Sequence, residues 1–241
     1  MTAMRLGIAR DQRHREYMED RCATATLGDS TLVAVFDGHE GSAVAEYAAS
    51  HVVGVVTAAL DHGLTGESLW SAVFPALEPD VPRAGSTATV LLVGNGVVSV
   101  AWVGDSRAVL VTTRGSRPLT SDHRIERRDE LARCLAAGAE LMPPYVIDPV
   151  TSNGLMVTRA LGDRALRVIG IIPEPEVASV PIDPDAVGVV VATDGLWDVM
   201  TDHEAATVGR VGPAQAAAEL LVGMVVTRGG TDNVTVVVGQ F

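Results

Sequence analysis

The sequence predicts an α+β domain in which antiparallel sheets are layered against helices. Short β-branched runs bounded by Gly, Asp or Ser recur along the chain, and such runs are typical of strands. Asn95-Gly96 separates two of them and predicts a tight hairpin. Strands and helices do not alternate one by one, which disfavours a doubly wound parallel sheet. The 241 residues can bury one large core, so we interpret residues 1–241 as a single domain.

The predicted strands fall into an early group and a late group. An edge strand is expected near the N-terminus, followed by a dense group before residue 113 and by three isolated runs. The runs lie at residues 4–12, 21–27, 31–36, 86–93, 97–103, 106–112, 155–160, 187–193 and 234–239. Most are rich in Val and Ala, which suits sheets covered by helices.

Helical spacing recurs in the segments between these strands. The predicted helices lie at residues 41–60, 67–78, 125–137, 201–210 and 213–227. Gly138 follows the third segment and is a favourable C-terminal residue. Thr201 and Glu204 form a capping-box pattern that opens the fourth, and Pro213 suits the first turn of the last.

Composition restricts the class of function. Hydrophobic residues make up 47% and charged residues 20%, as in globular proteins. All 18 basic residues are arginine, and with 30 acidic residues the net charge is −12, so we expect neither nucleic acid nor a membrane surface as partner. The absence of lysine excludes P-loop and Schiff-base chemistry. We expect neither a secretory leader nor a membrane-spanning segment, and two cysteines predict a reducing, cytoplasmic location.

Acidic residues lie where predicted strands meet turns. Asp37 and Asp194 each follow an apolar run and precede glycine, Asp232 precedes the last strand, and Glu19 and Asp20 precede another. Carboxylates near a core cost several kcal/mol when unpaired, so a shared cation would explain their placement. Oxygen ligands favour Mg²⁺ or Mn²⁺. Each Asp-Gly pair taken singly is also explained as an ordinary turn.

Nine short motifs, in order along the chain, resemble the metal-dependent Ser/Thr phosphatases of the protein phosphatase 2C family. They lie at residues 15–21, 35–39, 85–89, 103–108, 119–123, 158–163, 173–177, 192–199 and 230–234. The resemblance implies an α-β-β-α sandwich, in which two stacked antiparallel sheets are flanked by helices. It also implies a binuclear Mn²⁺ or Mg²⁺ centre at one end of the sheets, joined in some relatives by a third, weaker ion.

The resemblance assigns metal ligands residue by residue. It implies that Asp37 bridges both ions and that the Gly38 carbonyl completes one of them. Asp194 and Asp232 match ligands of the other ion. Glu19 matches a residue that reaches an ion directly or through water, with Asp20 acting through water behind it.

The resemblance also assigns residues for phosphate binding and proton transfer. Arg15 matches the phosphate-binding arginine, whose guanidinium can hold two phosphate oxygens in a fork. His39 matches the residue proposed to protonate the leaving alkoxide, although a histidine that only orients a metal-bound water remains an alternative. Asp122 matches a residue that helps to hold the third ion. Asp105 is interpreted as a hairpin residue that pairs internally.

The implied activity is hydrolysis of phosphoserine and phosphothreonine esters by a metal-activated bridging water. The expected substrates are phosphorylated proteins, the expected antagonist is a Ser/Thr kinase acting in signalling, and a monomer is expected. Two other readings stay open on the sequence. One is a catalytically weak pseudophosphatase that recognises phosphate, and the other is a phosphatase of small phosphoesters.

Three departures from the family pattern concern substrate specificity more than chemistry. Glu40 stands where glycine is usual, and it should either disfavour anionic substrates or strengthen metal binding. Arg124-Ile125 replaces the common Lys-Pro. Residues 164–172 are short at the place where relatives carry a substrate-side flap.

Overall fold

The computed structural model describes residues 4–81 and 83–241 and contains sixteen strands in this part of the chain. They are β1 (Arg5–Asp11), β2 (Arg21–Leu27), β3 (Ser30–Phe36), β4 (Gly38–His39), β5 (Gly85–Ser86), β6 (Ala88–Gly94), β7 (Val97–Val103), β8 (Arg107–Thr112), β9 (Ser116–Pro118), β10 (Glu140–Met142), β11 (Tyr145–Ile147), β12 (Gly154–Leu155), β13 (Leu161–Gly162), β14 (Glu176–Pro181), β15 (Ala186–Ala192) and β16 (Val234–Gln240).

Six α-helices and a 3₁₀ helix at Arg164–Ile169 accompany them in the described residues. The α-helices are α1 (Ala43–Asp61), α2 (Gly66–Ala76), α3 (Arg128–Ala136), α4 (Asp194–Trp197), α5 (Asp202–Gly209) and α6 (Ala214–Thr227). The predicted capping box is confirmed, because Thr201 and Glu204 exchange side-chain and backbone hydrogen bonds at the start of α5.

Two five-stranded sheets form the centre of the fold, and every pairing within them is antiparallel. One has the order β1-β16-β15-β8-β9 and the other β14-β7-β6-β3-β2. The edge position predicted for the first strand is confirmed, since β1 pairs with β16 alone. The hairpin between β6 and β7 is also confirmed: Asn95 and Gly96 have φ values of 51° and 75°, as a type I′ turn requires.

Buried side chains divide into layers that follow from the two-residue period of the strands. In β3, Leu32, Ala34 and Phe36 pack against α1 and α2, whereas Val33 and Val35 pack against the other sheet. The outer face of that second sheet is covered by α4, α5 and α6. The order helix, sheet, sheet, helix is therefore the predicted α-β-β-α sandwich.

One described helix, α1, is long and apolar enough by length and composition to cross a membrane. Its buried residues recur every three or four positions and so form a single face, which packs on the sheet containing β3. Packing of this kind explains the apolar composition without a membrane.

The prediction fails between residues 140 and 172. The predicted strand 155–160 is wrong: Gly154–Leu155 forms a short strand in a small sheet of β10, β11 and β12 that was not predicted, and Val157 and Arg159 form only isolated bridges. The Thr158 side chain instead donates to Glu130 at 2.6 Å. The predicted helix 125–137 is also too long, because α3 begins at Arg128.

Candidate metal and phosphate site

The predicted acidic residues meet at one end of the two central sheets. Arg21, at the start of β2, pairs with Phe36 at the end of β3, and Ala192, at the end of β15, pairs with Val236 near the start of β16. The residues flanking these strand ends therefore face a common cleft of about 250 Å³. The predicted site residues that line it are Arg15, Glu19, Asp37, Gly38, His39, Asp194 and Asp232.

Asp37 is held by the loop before β6. Its backbone N–H donates to the Thr87 hydroxyl at 3.1 Å, and its carbonyl accepts from the Thr87 N–H at 2.9 Å. The Thr87 hydroxyl in turn contacts that of Ser106 at 2.7 Å. Thr87 lies in the motif at residues 85–89, and these hydrogen bonds fix the backbone of the expected bridging ligand.

Asn233 organises the opposite side of the cleft. Its side-chain carbonyl accepts the Glu19 N–H at 2.7 Å, and its side-chain amide donates to the Gln12 carbonyl at 2.9 Å. Its own N–H donates to Asp232 at 2.7 Å. A Cβ on Gly195 would lie 2.0 Å from the Asn233 carbonyl oxygen, so glycine after Asp194 is required for these two loops to meet.

Glu19 and Arg15 have partners at the rim. A Glu19 carboxylate oxygen accepts the Gly41 N–H at 2.6 Å. Arg15 donates to Asp232 at 2.5 Å and is 57% exposed, so its guanidinium is anchored at the cleft but accessible to a ligand. This hydrogen bond and the surrounding carboxylates raise the pKa of Arg15.

Arg15 and Arg124 compensate only part of the negative charge in the cleft. Burial raises the pKa of Asp37 well above its usual value, and the charges of Asp20 and Asp194 add to the effect. Burial, followed by the charges of Asp105 and Asp198, likewise raises the pKa of Asp194 well above its usual value. Burial raises the pKa of Asp20 to about 6 although Thr193 donates to it at 2.8 Å.

Two buried carboxylate oxygens in this cluster have no hydrogen-bond partner, namely Oδ1 of Asp20 and Oδ1 of Asp194. An unsatisfied buried acceptor is costly, and native proteins satisfy most such atoms. Hard oxygen donors that are unsatisfied and mutually repelling fit a Mg²⁺ or Mn²⁺ ion. The residues present therefore fit the divalent ions that the sequence predicts.

His39 faces Asp163, which ends the motif at residues 158–163 and was not predicted to belong to the site. His39 Nε2 lies 2.6 Å from Asp163 Oδ2, and Asp163 is only 2% exposed. Burial lowers the pKa of His39, but the hydrogen bond and charge of Asp163 outweigh it, and the pKa lies above its usual value. A Cβ on Gly85 would lie 1.9 Å from Asp163 Oδ2, so glycine there permits the pairing.

Asp105 pairs internally, as predicted, but it does not lie on a hairpin, because β7 and β8 belong to different sheets, and it joins the acidic cluster. It lines the cleft, and it accepts from Arg124 Nε at 2.6 Å. Arg124 also reaches Asp194 at 3.1 Å and Asp198 at 3.7 Å. The Arg124 guanidinium thus bridges three carboxylates. The main chain of Arg124 pairs with that of Val157, which also lines the cleft.

The structure does not bring Asp122 to the cleft. Both of its carboxylate oxygens accept from Arg107, at 3.1 and 2.8 Å, and the residue lines a separate cavity. Its prediction as a metal ligand in this centre is therefore corrected. The motif that contains Asp105 supplies the acid at this place, and only the fold shows which of the two aspartates faces inward.

The rim of the cleft next to β11 also differs from expectation. It is lined by Tyr145 of β11 and by residues 154–157, not by the short segment 164–172 in which a reduced flap was expected. A satellite core that includes Val146 and Val157 supports this region. The small sheet is therefore the element placed to contact whatever surrounds a bound phosphate.

Comparisons with known proteins agree with this architecture. A family model described as Protein phosphatase 2C matches residues 4–234. Probable protein phosphatase 2C 71 from Arabidopsis thaliana is 34% identical and covers 98% of this chain and 55% of the relative. Protein phosphatase 2C 53 from Oryza sativa subsp. japonica is 32% identical and covers 85% of this chain and 58% of the relative. The chain thus spans just over half the length of these two curated relatives.

Solved structures share the fold across the whole chain. A serine-threonine phosphatase 2C from Toxoplasma gondii superposes with a TM-score of 0.84 at 23% identity, covering 100% of this chain and 95% of that one. A C. elegans sex determining protein gives a TM-score of 0.86 at 25% identity, covering 100% of this chain and 65% of that one. Taken with the sequence match over residues 4–234, these findings show that the chain belongs to the protein phosphatase 2C family.

Proposed function

We propose that the chain hydrolyses phosphoserine and phosphothreonine esters in phosphorylated proteins with the help of two Mn²⁺ or Mg²⁺ ions. One observation carries the proposal: carboxylates from separate segments converge on a cleft, with buried oxygens unsatisfied, next to an accessible arginine and a histidine. Membership of a metal-dependent phosphatase family supports it.

The residues that would hold the ions are Asp37, the Gly38 carbonyl, Asp194 and Asp232, with Glu19 at the rim. Bound ions of this kind lower the pKa of a water molecule and so supply a nucleophile near neutral pH. The protein contributes fixed oxygen donors, because Thr87 and Asn233 hold the backbone on either side of the cleft.

Arg15 would bind the phosphate. Its guanidinium can present two N–H groups to two phosphate oxygens, which fixes orientation and stabilises developing negative charge. Its partner Asp232 is an expected metal ligand, so a bound ion would compete with Arg15 for that carboxylate. This exchange would leave the guanidinium free to turn toward substrate.

His39 would protonate the leaving alkoxide. The carboxylate of Asp163 raises the pKa of His39, which favours the protonated imidazole that a general acid requires. The pairing therefore favours proton donation over the alternative role.

For a third ion, the carboxylates in position are Asp105, Asp194 and Asp198 rather than Asp122. Arg124 already lies among these three groups. A guanidinium and a divalent ion compete for the same oxygens, so we propose that two ions are bound and that the third position is filled by Arg124.

The proposed activity is tested by phosphate release from a phosphothreonine peptide in the presence of Mn²⁺ and after chelation. We expect turnover only with metal. Binding of the peptide without turnover would show a pseudophosphatase instead. Rates on small aryl or sugar phosphates that far exceed those on the peptide, measured as kcat/KM, would show a phosphatase of small phosphoesters.

The cellular setting stays a proposal. Cys22 and Cys134 carry free thiols, which supports the reducing cytoplasm. A Ser/Thr kinase that produces the same phosphoproteins is the antagonist that this reaction requires. The proposed monomer is tested by sedimentation, in which a species twice the chain mass would contradict it.

A further inference from the structure

Glu40 has a backbone conformation that favours glycine. It directly follows β4, and its φ of 53° lies in the left-handed region. Side chains with a Cβ rarely adopt this region, because the Cβ approaches the backbone closely. Strain of this kind persists where the surrounding structure or the function requires it, and it clusters at ligand sites.

The Glu40 carboxylate is exposed and has neither a hydrogen bond nor an ion pair within residues 4–81 and 83–241. Its neighbours differ in this respect. Glu19 accepts the Gly41 N–H at 2.6 Å, and Asp163 pairs with His39 at 2.6 Å. Nothing inside the described fold therefore explains why a glutamate occupies this position.

Glu40 lies between two depressions of the surface. It lines the metal and phosphate cleft, and it also lines a smaller cavity of about 100 Å³. Gly154 and Leu155 line both depressions as well. A polypeptide whose phosphate entered the cleft and whose chain continued into the smaller cavity would pass directly over the Glu40 carboxylate.

We propose that Glu40 is a specificity-determining residue that selects phosphopeptides carrying Arg or Lys beside the phosphorylated residue. The inference rests on the proposed phosphatase function and adds a substrate class to it. A free carboxylate at the rim attracts a basic side chain and repels an acidic one. Two arginines line these depressions, namely Arg15, which would bind the phosphate itself, and Arg83 on the wall of the smaller cavity.

The test compares phosphothreonine peptides that differ only in one residue near the phosphothreonine, which is Arg, Ala or Glu. Each neighbouring position is scanned in turn, and kcat/KM is measured for every peptide. For the unmodified protein we expect the order Arg, then Ala, then Glu at one or more positions. An exposed charge pair implies a preference of about two- to fivefold, expressed mainly in KM.

Two substitutions of Glu40 sharpen the comparison. Glu40→Gln should bring the ratio of kcat/KM between Arg and Ala peptides to about one. Glu40→Lys should reverse the preference, so that Glu peptides become better substrates than Arg peptides. Because the ratio is taken within one variant, changes in overall activity cancel. Glu67→Gln, an exposed glutamate on α2, is the matched control and should keep the ratio. The preference of the unmodified protein should also shrink in high salt.

Three results would overturn the inference. One is an Arg-to-Ala ratio near unity in the unmodified protein at all positions. Another is an unchanged ratio in Glu40→Gln. The last is a large loss of Mn²⁺ affinity in Glu40→Gln, measured by calorimetry, without any change in the ratio, which would assign Glu40 to metal binding. Equal turnover of all peptides defeats only this inference, whereas no turnover of any peptide defeats the proposed function.

Discussion

Two clusters of buried acids in this protein have opposite electrostatics. In the cleft, burial raises the pKa of Asp37, Asp194 and Asp20, and carboxylate oxygens stay unsatisfied. The second cluster surrounds Glu130 on the buried face of α3. Hydrogen bonds from Arg133 and Arg159 there overcome the effect of burial and hold the pKa of Glu130 far below its usual value. The protein supplies its own cations to one cluster and leaves the other short of them.

The compensated cluster shows that proximity of ligand atoms is a poor guide to a metal site. His123, Glu130 and Glu176 place one ligand atom each within 4.8 Å of one another. However, Glu130 is bound by Arg133 and Arg159, and Glu176 by Arg127 at 2.7 Å. An added cation would have to displace these guanidinium groups. The excess of carboxylates over cations, rather than short distance, favours the cleft as the cation site.

Asp194→Asn should produce the largest effect, since it removes a proposed metal ligand from the acidic cluster of the cleft. We expect phosphopeptide turnover to fall about a thousandfold or more, with loss of Mn²⁺ affinity in calorimetry. Asp122→Asn is the matched control, because Asp122 pairs with Arg107 outside the cleft and should keep the Mn²⁺ affinity. Equal losses of Mn²⁺ affinity in both variants would restore Asp122 to the metal centre.

Glu130→Gln tests the compensated cluster through stability. Glu130 is fully buried and contacts Arg133, Arg159 and Thr158. Removing one partner of a buried ion pair leaves charge uncompensated, so the free energy of unfolding should fall by about 3–5 kcal/mol in urea titrations. Exposed Glu67→Gln should have almost no effect. Similar stabilities for the two variants would show that the buried network contributes little.

The pH dependence of stability should carry the signature of His123, which is fully buried beside the compensated cluster. Burial, followed by the charge of Arg159, lowers the pKa of His123 from 6.5 to about 4. The charge of Arg127 also lowers this pKa, whereas the charges of Glu130 and Glu176 raise it. A depressed folded-state pKa means that the unfolded chain binds the extra proton. Stability should therefore be lost as pH falls from about 6.5 to about 4, by on the order of 3 kcal/mol.

His123→Asn isolates this contribution, because asparagine can still accept the Gly104 N–H that His123 Nδ1 accepts at 3.1 Å. Subtracting the unfolding free energies of the variant from those of the unmodified protein, at matched pH, removes opposing titrations such as that of Asp20. A difference that does not change between pH 7 and the acid end would contradict the expectation.

Metal removal should give the smallest of the four effects. A ligand at about ten times its Kd adds about 1.4 kcal/mol to the free energy of unfolding for each site, so Mn²⁺ at that concentration should raise the melting temperature and a chelator should reverse the rise. Glu130→Gln should gain as much from Mn²⁺ as the unmodified protein, whereas Asp194→Asn should gain less. Equal gains in all three proteins would place the stabilising ions elsewhere.

The sequence predicts the layered fold and most of the cleft because local patterns carry both. Strand runs with a two-residue period specify which side chains face each layer. Acids at strand ends suggest a shared cation, and the resemblance to the protein phosphatase 2C family assigns Asp37, Asp194 and Asp232, all of which line the cleft. The pairing of His39 with Asp163 depends on contacts between segments 124 positions apart, and no local pattern encodes them.

The errors have a related cause. Asp105 and Asp122 are both acids next to turns, and only the tertiary fold decides that one meets Arg124 and the other Arg107. The segment 155–160 has strand-like composition, but Thr158 and Arg159 are drawn into the network around Glu130. Long-range polar contacts outweigh local strand propensity there.

Arg124 connects the two sides of the cleft, one through its main chain and the other through its side chain. Its main chain pairs with Val157, and its side chain donates to Asp105 and Asp194. A shift of the Val157 segment must therefore either break that pairing or pull the guanidinium along with it. The electric charge at the acidic end of the sheets is thereby mechanically tied to the position of the loop proposed to contact the substrate.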